Sequence, residues 1–242
     1  MHSEKRIQKQ FNKGCTKYGL LADGDKILIG LSGGKDSLEL TRLMAQRSRI
    51  FKPRIHVEAL HIVMDNVPYS TDISYLEHFC KEMGVTLNIL HTRFDENKTD
   101  KEKSVCFLCS WHRRKALFEY AQNNGFNKVA LGHHQDDILT TLLMNMTFEG
   151  AFSTMPPIIR MEHYPISIIR PMCLVHEADI KAVAKELNFM EQTSKCPFEN
   201  ESKRKTMEDM FHKLEEINPE ARYSLWNSME NIRTDNLPHP KD

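Results

Sequence analysis

The feature that most constrains this chain is a glycine turn between a buried strand and a helix. Lys26–Leu31 is a nearly continuous apolar run, which is typical of a parallel strand covered on both faces. The hexapeptide Ser-Gly-Gly-Lys-Asp-Ser follows at 32–37, and residues 37–48 have the spacing of a helix. This order surrounds one point with backbone N–H groups, and the helix dipole adds positive potential there. The stretch therefore predicts a seat for phosphate.

The residue types in the hexapeptide suit that ligand. Glycines let the backbone approach an anion closely, serines donate hydroxyl hydrogen bonds, and lysine adds a positive charge. An aspartate beside phosphate is explained by a bridging Mg²⁺. The spacing differs from both the Walker A loop and the G-x-G-x-x-G motif, and an ordinary turn without a ligand is the alternative. The candidate residues are Ser32, Gly33, Gly34, Lys35, Asp36 and Ser37.

Strand and helix patterns alternate four times in the first 150 residues. Such alternation predicts a doubly wound parallel α/β sheet with right-handed crossovers, in which ligands bind beyond the carboxyl ends of the strands. Both the glycine turn and Gly132-His133-His134 follow a predicted strand. The predicted strands are 26–31, 54–63, 85–91 and 128–131, and the predicted helices are 37–48, 70–83, 107–124 and 135–148.

The pattern changes after residue 150, where Met155-Pro156-Pro157 and Tyr164-Pro165 interrupt extended segments. A last strand is predicted at 168–171, and helices at 177–187, 203–217 and 219–232. We therefore expect three parts: an N-terminal basic helix at 1–24, a nucleotide-binding domain at 25–190, and a cysteine-bearing loop with a helical extension at 191–242.

The formal net charge is zero, so there is no global electrostatic attraction to nucleic acid. Basic residues are nevertheless clustered in three places, which are either solvated helix faces or contacts for an RNA backbone. The clusters are Lys5, Arg6, Lys9, Lys13 and Lys17; Arg113, Arg114 and Lys115; and Lys203, Arg204 and Lys205.

The cysteines carry the next signal. The chain has no apolar run of the ~18 residues needed to span a membrane and begins with a polar segment, so we expect a cytoplasmic protein with reduced thiols. Cys106 and Cys109 form a C-x-x-C pair at the start of a basic helix, and Cys196 stands alone in a loop. The pair alone fits a zinc half-site, a redox pair or iron–sulfur ligation. We interpret Cys15, Cys80 and Cys173 as core thiols.

Two motifs together resemble the PP-loop of N-type ATP pyrophosphatases, which split ATP between its α- and β-phosphates and adenylate a substrate oxygen. The first is Ser32–Ser37. The second is Leu131–Asp137, which is similar to the G-H-H-x-D-D segment of the tRNA-modifying members. The resemblance implies that ATP and Mg²⁺ bind at Ser32–Ser37, with Gly132, Asp136 and Asp137 on the facing strand–helix junction.

Nearly the whole chain resembles the tRNA 2-thiocytidine synthetase family. The resemblance implies that Cys106, Cys109 and Cys196 hold a [4Fe–4S] cluster, and that its open iron carries a sulfide or persulfide. The family often has a further cysteine where this chain has Glu199. The matching segments are Gly24-Asp25-Lys26, the PP-loop, Cys-x-x-Cys-Ser with Arg-Arg, the G-H-H-x-D-D segment, Met155-Pro156-Pro157, Ile169-Arg170-Pro171 and the Cys196 loop.

The implied function is ATP-dependent thiolation of tRNA. The C2 oxygen of a pyrimidine, expected to be a cytidine of the anticodon loop, is adenylated and then replaced by sulfur. The implied partners are tRNA and a sulfur donor such as a cysteine desulfurase, with no membrane; a homodimer is allowed. The alternatives are a lysidine synthetase-like ligase without a cluster and a non-catalytic nucleotide-binding module with structural zinc. The implied catalytic residues are Lys35, Asp36, Cys106, Cys109 and Cys196.

Overall fold

A computed structural model describes residues 2–67, 71–93, 105–190 and 203–238 of the 242-residue chain, with the backbone alone at 105–107. Its centre is a six-stranded sheet in the order β3-β2-β1-β4-β6-β5. All neighbouring strands are parallel except β5, which runs antiparallel to β6 at one edge. The strands are β1 Asp25–Gly30, β2 Ile55–Met64, β3 Thr86–Thr92, β4 Lys128–Ala130, β5 Ile158–Arg160 and β6 Ser167–Ile169.

The helices follow the predicted alternation, with ends shifted by a few residues. The helix predicted at 135–148 ends as an α-helix at Met144, and the chain continues as a π-helix over Asn145–Glu149. A 3₁₀ turn covers Thr234–Asn236. The α-helices are α1 His2–Lys17, α2 Lys35–Ser48, α3 Ile73–Met83, α4 Val105–Asn123, α5 Gln135–Met144, α6 Glu177–Glu186, α7 Lys203–Ile217 and α8 Ala221–Glu230.

The doubly wound sheet is confirmed, and the burial of β1 shows why its sequence lacks alternation. Ile27 and Ile29 belong to a buried cluster with residues of α1, α2, α3 and α6. Leu28 belongs to a second cluster, which includes Leu117 and Phe118 of α4. Because helices cover both faces, the three consecutive buried positions 27–29 of β1 are all apolar.

One element of the sheet was not predicted as a strand. Residues 158–160 were expected only to be extended, and they form β5, the antiparallel edge strand. Its three residues are all exposed, and the strand, which directly follows Pro156-Pro157, is too short to show a strand pattern in the sequence. The expected last strand at 168–171 is β6, which ends at Ile169 before Arg170-Pro171.

The chain divides into two compact units. Of the described residues, the first unit contains 2–135 and 156–190. It therefore includes the whole sheet and α6. The second contains Asp136–Met155 and the helices α7 and α8. The boundaries expected at residues 24 and 190 remain a prediction. Among the described residues, no helix has the length and apolar character to cross a membrane.

A buried ion pair joins the starts of two neighbouring strands of the first unit. Lys128 Nζ donates to Asp25 Oδ2 at 2.7 Å and to the carbonyl oxygen of Leu20 at 2.9 Å. The same carboxylate accepts from Ala22 N–H at 2.6 Å and from Asn127 Nδ2 at 2.8 Å. The side chains of Asp25 and Lys128 are only 4% and 11% exposed. The network therefore satisfies both charges where β1 and β4 begin.

Removing one partner should be far worse than removing both. We expect Asp25→Ala to lower the free energy of unfolding by about 3–5 kcal/mol, because it leaves the Lys128 ammonium buried without a counterion. Urea unfolding followed by circular dichroism measures this change. The double variant Asp25→Ala/Lys128→Met should recover part of the loss, since it removes the unpaired charge as well. A single-variant loss equal to that of the double variant would contradict this account.

Candidate functional site

The predicted phosphate seat is a short loop between β1 and α2. Leu31 N–H donates to Leu60 O at 2.9 Å, so the chain stays in register with β2 up to the loop. The first bond of α2 runs from Leu38 N–H to Gly34 O at 3.1 Å. The N–H groups of residues 35–37 therefore stand outside the helical ladder and are available to an anion at the helix N-terminus.

Gly33 is required by the backbone itself. Its φ of +94° lies in a region that side-chain-bearing residues rarely adopt. The turn is closed by Ser37, whose hydroxyl oxygen accepts from Gly33 N–H at 3.1 Å and from the Ser32 hydroxyl at 3.0 Å. Ser37 also donates to Gly34 O at 2.9 Å. The Ser37 hydroxyl group thus closes the loop through three hydrogen bonds.

Gly34 has a different reason to be glycine. Its φ of −75° and ψ of 159° are open to any residue, and a Cβ added there would meet nothing nearer than Ser32 Oγ at 3.7 Å. Neither conformation nor packing within the protein explains the absence of a side chain. A ligand that approaches the backbone at this point does explain it.

Gly132 brings the end of β4 against the same loop. A Cβ at this position would lie 3.1 Å from the backbone carbon and oxygen of Asp36 and 3.2 Å from Ser37 N. Backbone atoms cannot turn away as a flexible side chain can, so a larger residue would displace the first turn of α2. The structure therefore brings predicted residue Gly132 to the glycine loop, where it permits close backbone packing.

Lys35 is held by two carboxylates. Its Nζ lies 3.2 Å from Asp36 Oδ2 and 3.1 Å from Glu177 Oε1 in the first turn of α6. Burial acts to lower the pKa of Lys35, but the two carboxylates outweigh it and the pKa lies above its usual value. Burial likewise acts to raise the pKa of Glu177, and hydrogen bonds from Lys181 and Lys35 bring it below its usual value.

Sequence reasoning missed Glu177. An acidic residue in the first turn of a helix is an ordinary partner of the helix dipole, so its position gave no separate signal. Only the sheet topology shows that α6 begins beside the loop after β1.

Asp36 presents one unsatisfied oxygen. Its Oδ1 is buried without a hydrogen-bond partner. His134 Nε2 lies 3.7 Å from this oxygen, too far for a hydrogen bond. A buried carboxylate oxygen without a donor suits a hard divalent cation. The residue predicted to meet Mg²⁺ therefore has an oxygen that fits this role.

Asp136 and Asp137 follow Gln135 and belong to the second unit, where arginines of the C-terminal helices bind them. Arg222 Nη2 donates to Asp136 Oδ1 at 2.7 Å, and Arg204 pairs with Asp137. Arg222 also donates to Glu215 Oε1 at 2.8 Å. A Mg²⁺ ligand role for these two aspartates remains a prediction, and it requires each carboxylate to exchange or share its arginine.

The structure separates the cysteines into two groups. Cys109 is partly exposed in α4 and packs against Met64 and Val67 at the end of β2. Burial raises the pKa of Cys15 and Cys173 to about 12 and that of Cys80 to about 11. These three thiols stay protonated and are poor ligands, as the core interpretation expects.

The other two predicted cluster ligands are not both described. Cys106 lies in the first turn of α4, but its side chain is outside the described atoms, and Cys196 is outside the described residues. Within 2–67, 71–93, 105–190 and 203–238, no group of three or more His, Cys, Asp or Glu side chains could hold a metal ion.

The basic clusters are partly engaged in ion pairs. Lys115 Nζ lies 3.7 Å from Glu119 Oε1, and Lys205 Nζ lies 2.9 Å from Asp209 Oδ1. Lys203 Nζ stands 4.9 Å from the centre of the Phe148 ring. Arg6 of the first cluster pairs with Asp179. Binding of RNA by the clusters stays a prediction.

A parallel sheet with this loop after its central strand defines the class of PP-loop proteins, and residues 1–196 match the PP-loop domain family. The chain is 32% identical over 237 residues to the tRNA-cytidine(32) 2-sulfurtransferase of Bdellovibrio bacteriovorus, covering 96% of this chain and 90% of that protein. It is 30% identical over 244 residues to the protein of that name from Pseudomonas syringae pv. tomato, with 98% and 88% covered. The chain therefore belongs to the PP-loop family, in the branch of the tRNA-cytidine(32) 2-sulfurtransferases.

Solved structures share the fold. The U34-tRNA thiolase NcsA from Methanococcus maripaludis, determined with its [4Fe–4S] cluster, superposes with a TM-score of 0.79 at 24% identity, covering 98% of this chain and 81% of that one. The NH3-dependent NAD synthetase from Campylobacter jejuni superposes with a TM-score of 0.53 at 18% identity and covers all of both chains. A tRNA thiolase and an NAD synthetase thus share the fold of this chain.

The two loop glycines should respond differently to alanine. Gly33→Ala should destabilise the protein by about 1–2 kcal/mol, because alanine must adopt a left-handed backbone. Gly34→Ala should change stability by less than about 0.5 kcal/mol and still weaken ATP binding at least about tenfold, because its methyl group faces only the ligand. Urea unfolding and calorimetric ATP titration separate the effects. If folded Gly34→Ala bound ATP with wild-type affinity, this loop would not be the phosphate-binding site.

The Lys35–Glu177 pair predicts a pH dependence of stability. The pKa of Glu177 is lowered in the folded protein, so its contribution is present above the unfolded value of about 4.3 and is lost as pH falls through the folded pKa. Glu177→Gln should therefore be less stable than wild type at pH 7, by less than about 1 kcal/mol because the pair is partly exposed. In urea unfolding the two proteins should converge as the pH falls below the folded pKa of Glu177. The variant Lys181→Met controls for the outer partner of Glu177, and a pH-independent difference would contradict the assignment.

Proposed function

We propose that this protein is an ATP-dependent tRNA sulfurtransferase that replaces the C2 oxygen of a cytidine with sulfur. The observation that carries the proposal is that the glycine loop and Cys109 both lie at the carboxyl ends of neighbouring parallel strands. The glycine loop follows β1, and Cys109 packs against Met64 and Val67 where β2 ends. The relatives named tRNA-cytidine(32) 2-sulfurtransferase support the choice of substrate.

The glycine loop would bind ATP. The N–H groups at the start of α2 and the Lys35 ammonium provide positive charge for the phosphates. Asp36 Oδ1, which has no hydrogen-bond partner, would help hold a Mg²⁺ ion, which when bound would neutralise charge on the phosphates. Asp136 and Asp137 are the further carboxylates that the family motif assigns to this metal.

The reaction would proceed in two displacements. The C2 oxygen of the cytidine attacks the α-phosphorus of ATP, the bond to the bridging oxygen breaks, and pyrophosphate leaves with the bonding electron pair. A sulfur nucleophile then attacks C2, and AMP departs with the former C2 oxygen. The protein contributes by aligning the base with the α-phosphate and by neutralising the charge on the leaving pyrophosphate. The base must first be unstacked to reach the loop.

Cys106, Cys109 and Cys196 would hold a [4Fe–4S] cluster, which when bound supplies an open iron site able to carry the sulfur. Cys106 and Cys109 are three positions apart in α4, and positions with that spacing share one face of a helix. Their position at a helix N-terminus favours thiolates. The three protonated core thiols offer no competing ligand set. The cluster of the thiolase NcsA, which shares the fold, supports the same kind of centre here.

The proposed partners follow from this chemistry. The tRNA backbone would contact the basic clusters, including Arg113 and Arg114. Sulfur would come from a donor such as a cysteine desulfurase, and a homodimer is compatible with the proposal.

Cysteine substitution provides the test. We expect protein purified without oxygen to contain a [4Fe–4S] cluster with the broad visible absorption of such centres, and to lose it in Cys106→Ala, Cys109→Ala and Cys196→Ala. Thiolation of a tRNA transcript should fail in these variants, whereas ATP binding persists because the loop uses other residues. Iron and sulfide analysis, the visible spectrum and calorimetric ATP titration measure the three properties.

Matched controls come from the core cysteines. Cys80→Ala and Cys173→Ala should keep both cluster and thiolation, although each loses some stability from the cavity. One zinc and no iron in the anaerobic protein would favour the nucleotide-binding module with structural zinc. A metal-free protein that attaches lysine to tRNA would favour the lysidine synthetase-like ligase. Either result would overturn the proposed function.

A further inference from the structure

Arg170 is a buried arginine that lies near no carboxylate within the described part of the chain. It directly follows β6, at the carboxyl end of the parallel strands, and is 8% exposed. Its Nη1 donates to the carbonyl oxygen of Pro156 at 2.6 Å. Its Nε is buried without a hydrogen-bond partner. The guanidinium has therefore left water in exchange for a single neutral acceptor.

Other buried arginines of the protein are better satisfied. Arg42 donates to both oxygens of Glu39 at 2.8 Å, and Arg222 donates to Asp136 at 2.7 Å. Arg47 places Nη1 and Nη2 on two carbonyl oxygens, at 3.3 and 3.2 Å. An arginine remains protonated even when buried, and an unpaired buried charge is strongly unfavourable. Of the acceptors that the structure describes, Arg170 thus has one, where Arg47 has two carbonyl oxygens and Arg42 has two carboxylate oxygens.

A second cation, Arg114, belongs to the helix that packs on the same strand. Leu117 of α4 and Ile168 of β6 share one buried cluster, and Arg114 lies three residues before Leu117 as Arg170 lies two residues after Ile168. Arg114 stands exposed on α4, and its charge acts on Arg170. Burial and repulsion by Arg114 together bring the pKa of Arg170 below its usual value. Two cations from separate elements therefore act on each other, and no carboxylate among the described residues pairs with Arg170.

We propose that Arg170 and Arg114 form a phosphate-binding site beyond the carboxyl end of β6, in addition to the glycine loop after β1. A phosphate group carries negative charge and several acceptor oxygens, which match the fork of a guanidinium. Binding would satisfy the Nε of Arg170 and relieve the repulsion between the two cations. The phosphate could belong to ATP or to the RNA backbone, and this choice of two ligands rests on the proposed function.

The site lies in the same row of strand ends as the loop. Strands β1, β4 and β6 are consecutive and parallel, and Leu131 N–H donates to Ile169 O at 3.0 Å. Residues following these three strands therefore line one edge of the sheet, where α/β proteins bind ligands. A phosphate at Arg170 can accordingly belong to a ligand that also reaches the glycine loop.

The test uses the full chain and two probes, ATP and an unmodified tRNA transcript. The variants are Arg170→Gln, Arg170→Lys, Arg114→Gln and the double glutamine variant. Arg160→Gln is the matched control, because it makes the same charge change at an exposed residue that pairs with Ser167, at the opposite end of β6. ATP binding is measured by calorimetry and tRNA binding by filter retention over a range of salt concentrations.

We expect Arg170→Gln to weaken one of the two probes by about 10- to 100-fold, the range for losing a charge-assisted hydrogen bond. Arg170→Lys should weaken it less. Loss of ATP affinity with unchanged tRNA binding identifies the nucleotide as the phosphate source. Loss of tRNA affinity, with the salt slope reduced by about 0.7–0.9, identifies the RNA backbone. The double variant should be less than additive, because both arginines hold one group.

Unchanged affinity for both probes in folded Arg170→Gln and Arg114→Gln would overturn the site, as would equal weakening by Arg160→Gln. If Arg170→Gln does not fold, Arg170→Lys decides, and wild-type affinity for both probes in that folded variant would overturn the site. Both binding assays proceed without cluster or sulfur transfer. If the wild-type protein never thiolates tRNA but these variants still lose affinity for a probe, the proposed function is wrong and the phosphate site is supported.

Discussion

The close approach of two backbones underlies the geometry of this site. Gly132 at the end of β4 lies so near the first turn of α2 that a Cβ would stand 3.1 Å from the Asp36 backbone. This contact places the strand–helix junction after β4 against the loop after β1, its neighbour in the sheet. Because backbone atoms meet on both sides, the loop has little room to move toward β4. The loop after β1 is thus held in its conformation by packing before a ligand binds.

Charge is distributed along the carboxyl ends of the strands in two different ways. Lys35 is neutralised within the protein by Asp36 and Glu177, so a triphosphate must compete with carboxylates for it. Arg170 is instead buried with a carbonyl oxygen as its side-chain acceptor. Self-neutralised charges favour stability of the folded chain, whereas an uncompensated buried cation lowers stability until an anion arrives. Lys35 therefore already has two carboxylate partners in the folded chain, whereas Arg170 has only a neutral acceptor within the described part of the chain and would gain a counterion by binding an anion.

The two glycines of the loop divide in the same manner. Gly33 serves the fold, since its positive φ closes the turn around the Ser37 hydroxyl. Gly34 has an ordinary backbone and open space, so its lack of a side chain makes sense only for a ligand. Adjacent residues of the same type thus answer to different physical demands, and the sequence alone assigns both to phosphate.

The sequence by itself determined the alternating fold, the strand–loop–helix of the phosphate seat and the helix that begins at the C-x-x-C pair, because hydrophobic period and glycine position act within a few residues. It did not reveal the antiparallel edge strand β5, which has only three residues and directly follows Pro156-Pro157. Tertiary structure alone decided that Glu177 binds Lys35, that arginines of α7 and α8 bind Asp137 and Asp136, and that Arg170 has no carboxylate beside it among the described residues. These facts depend on charges brought together from distant parts of the chain, and a buried charge depends on which group finally lies within a few ångströms of it.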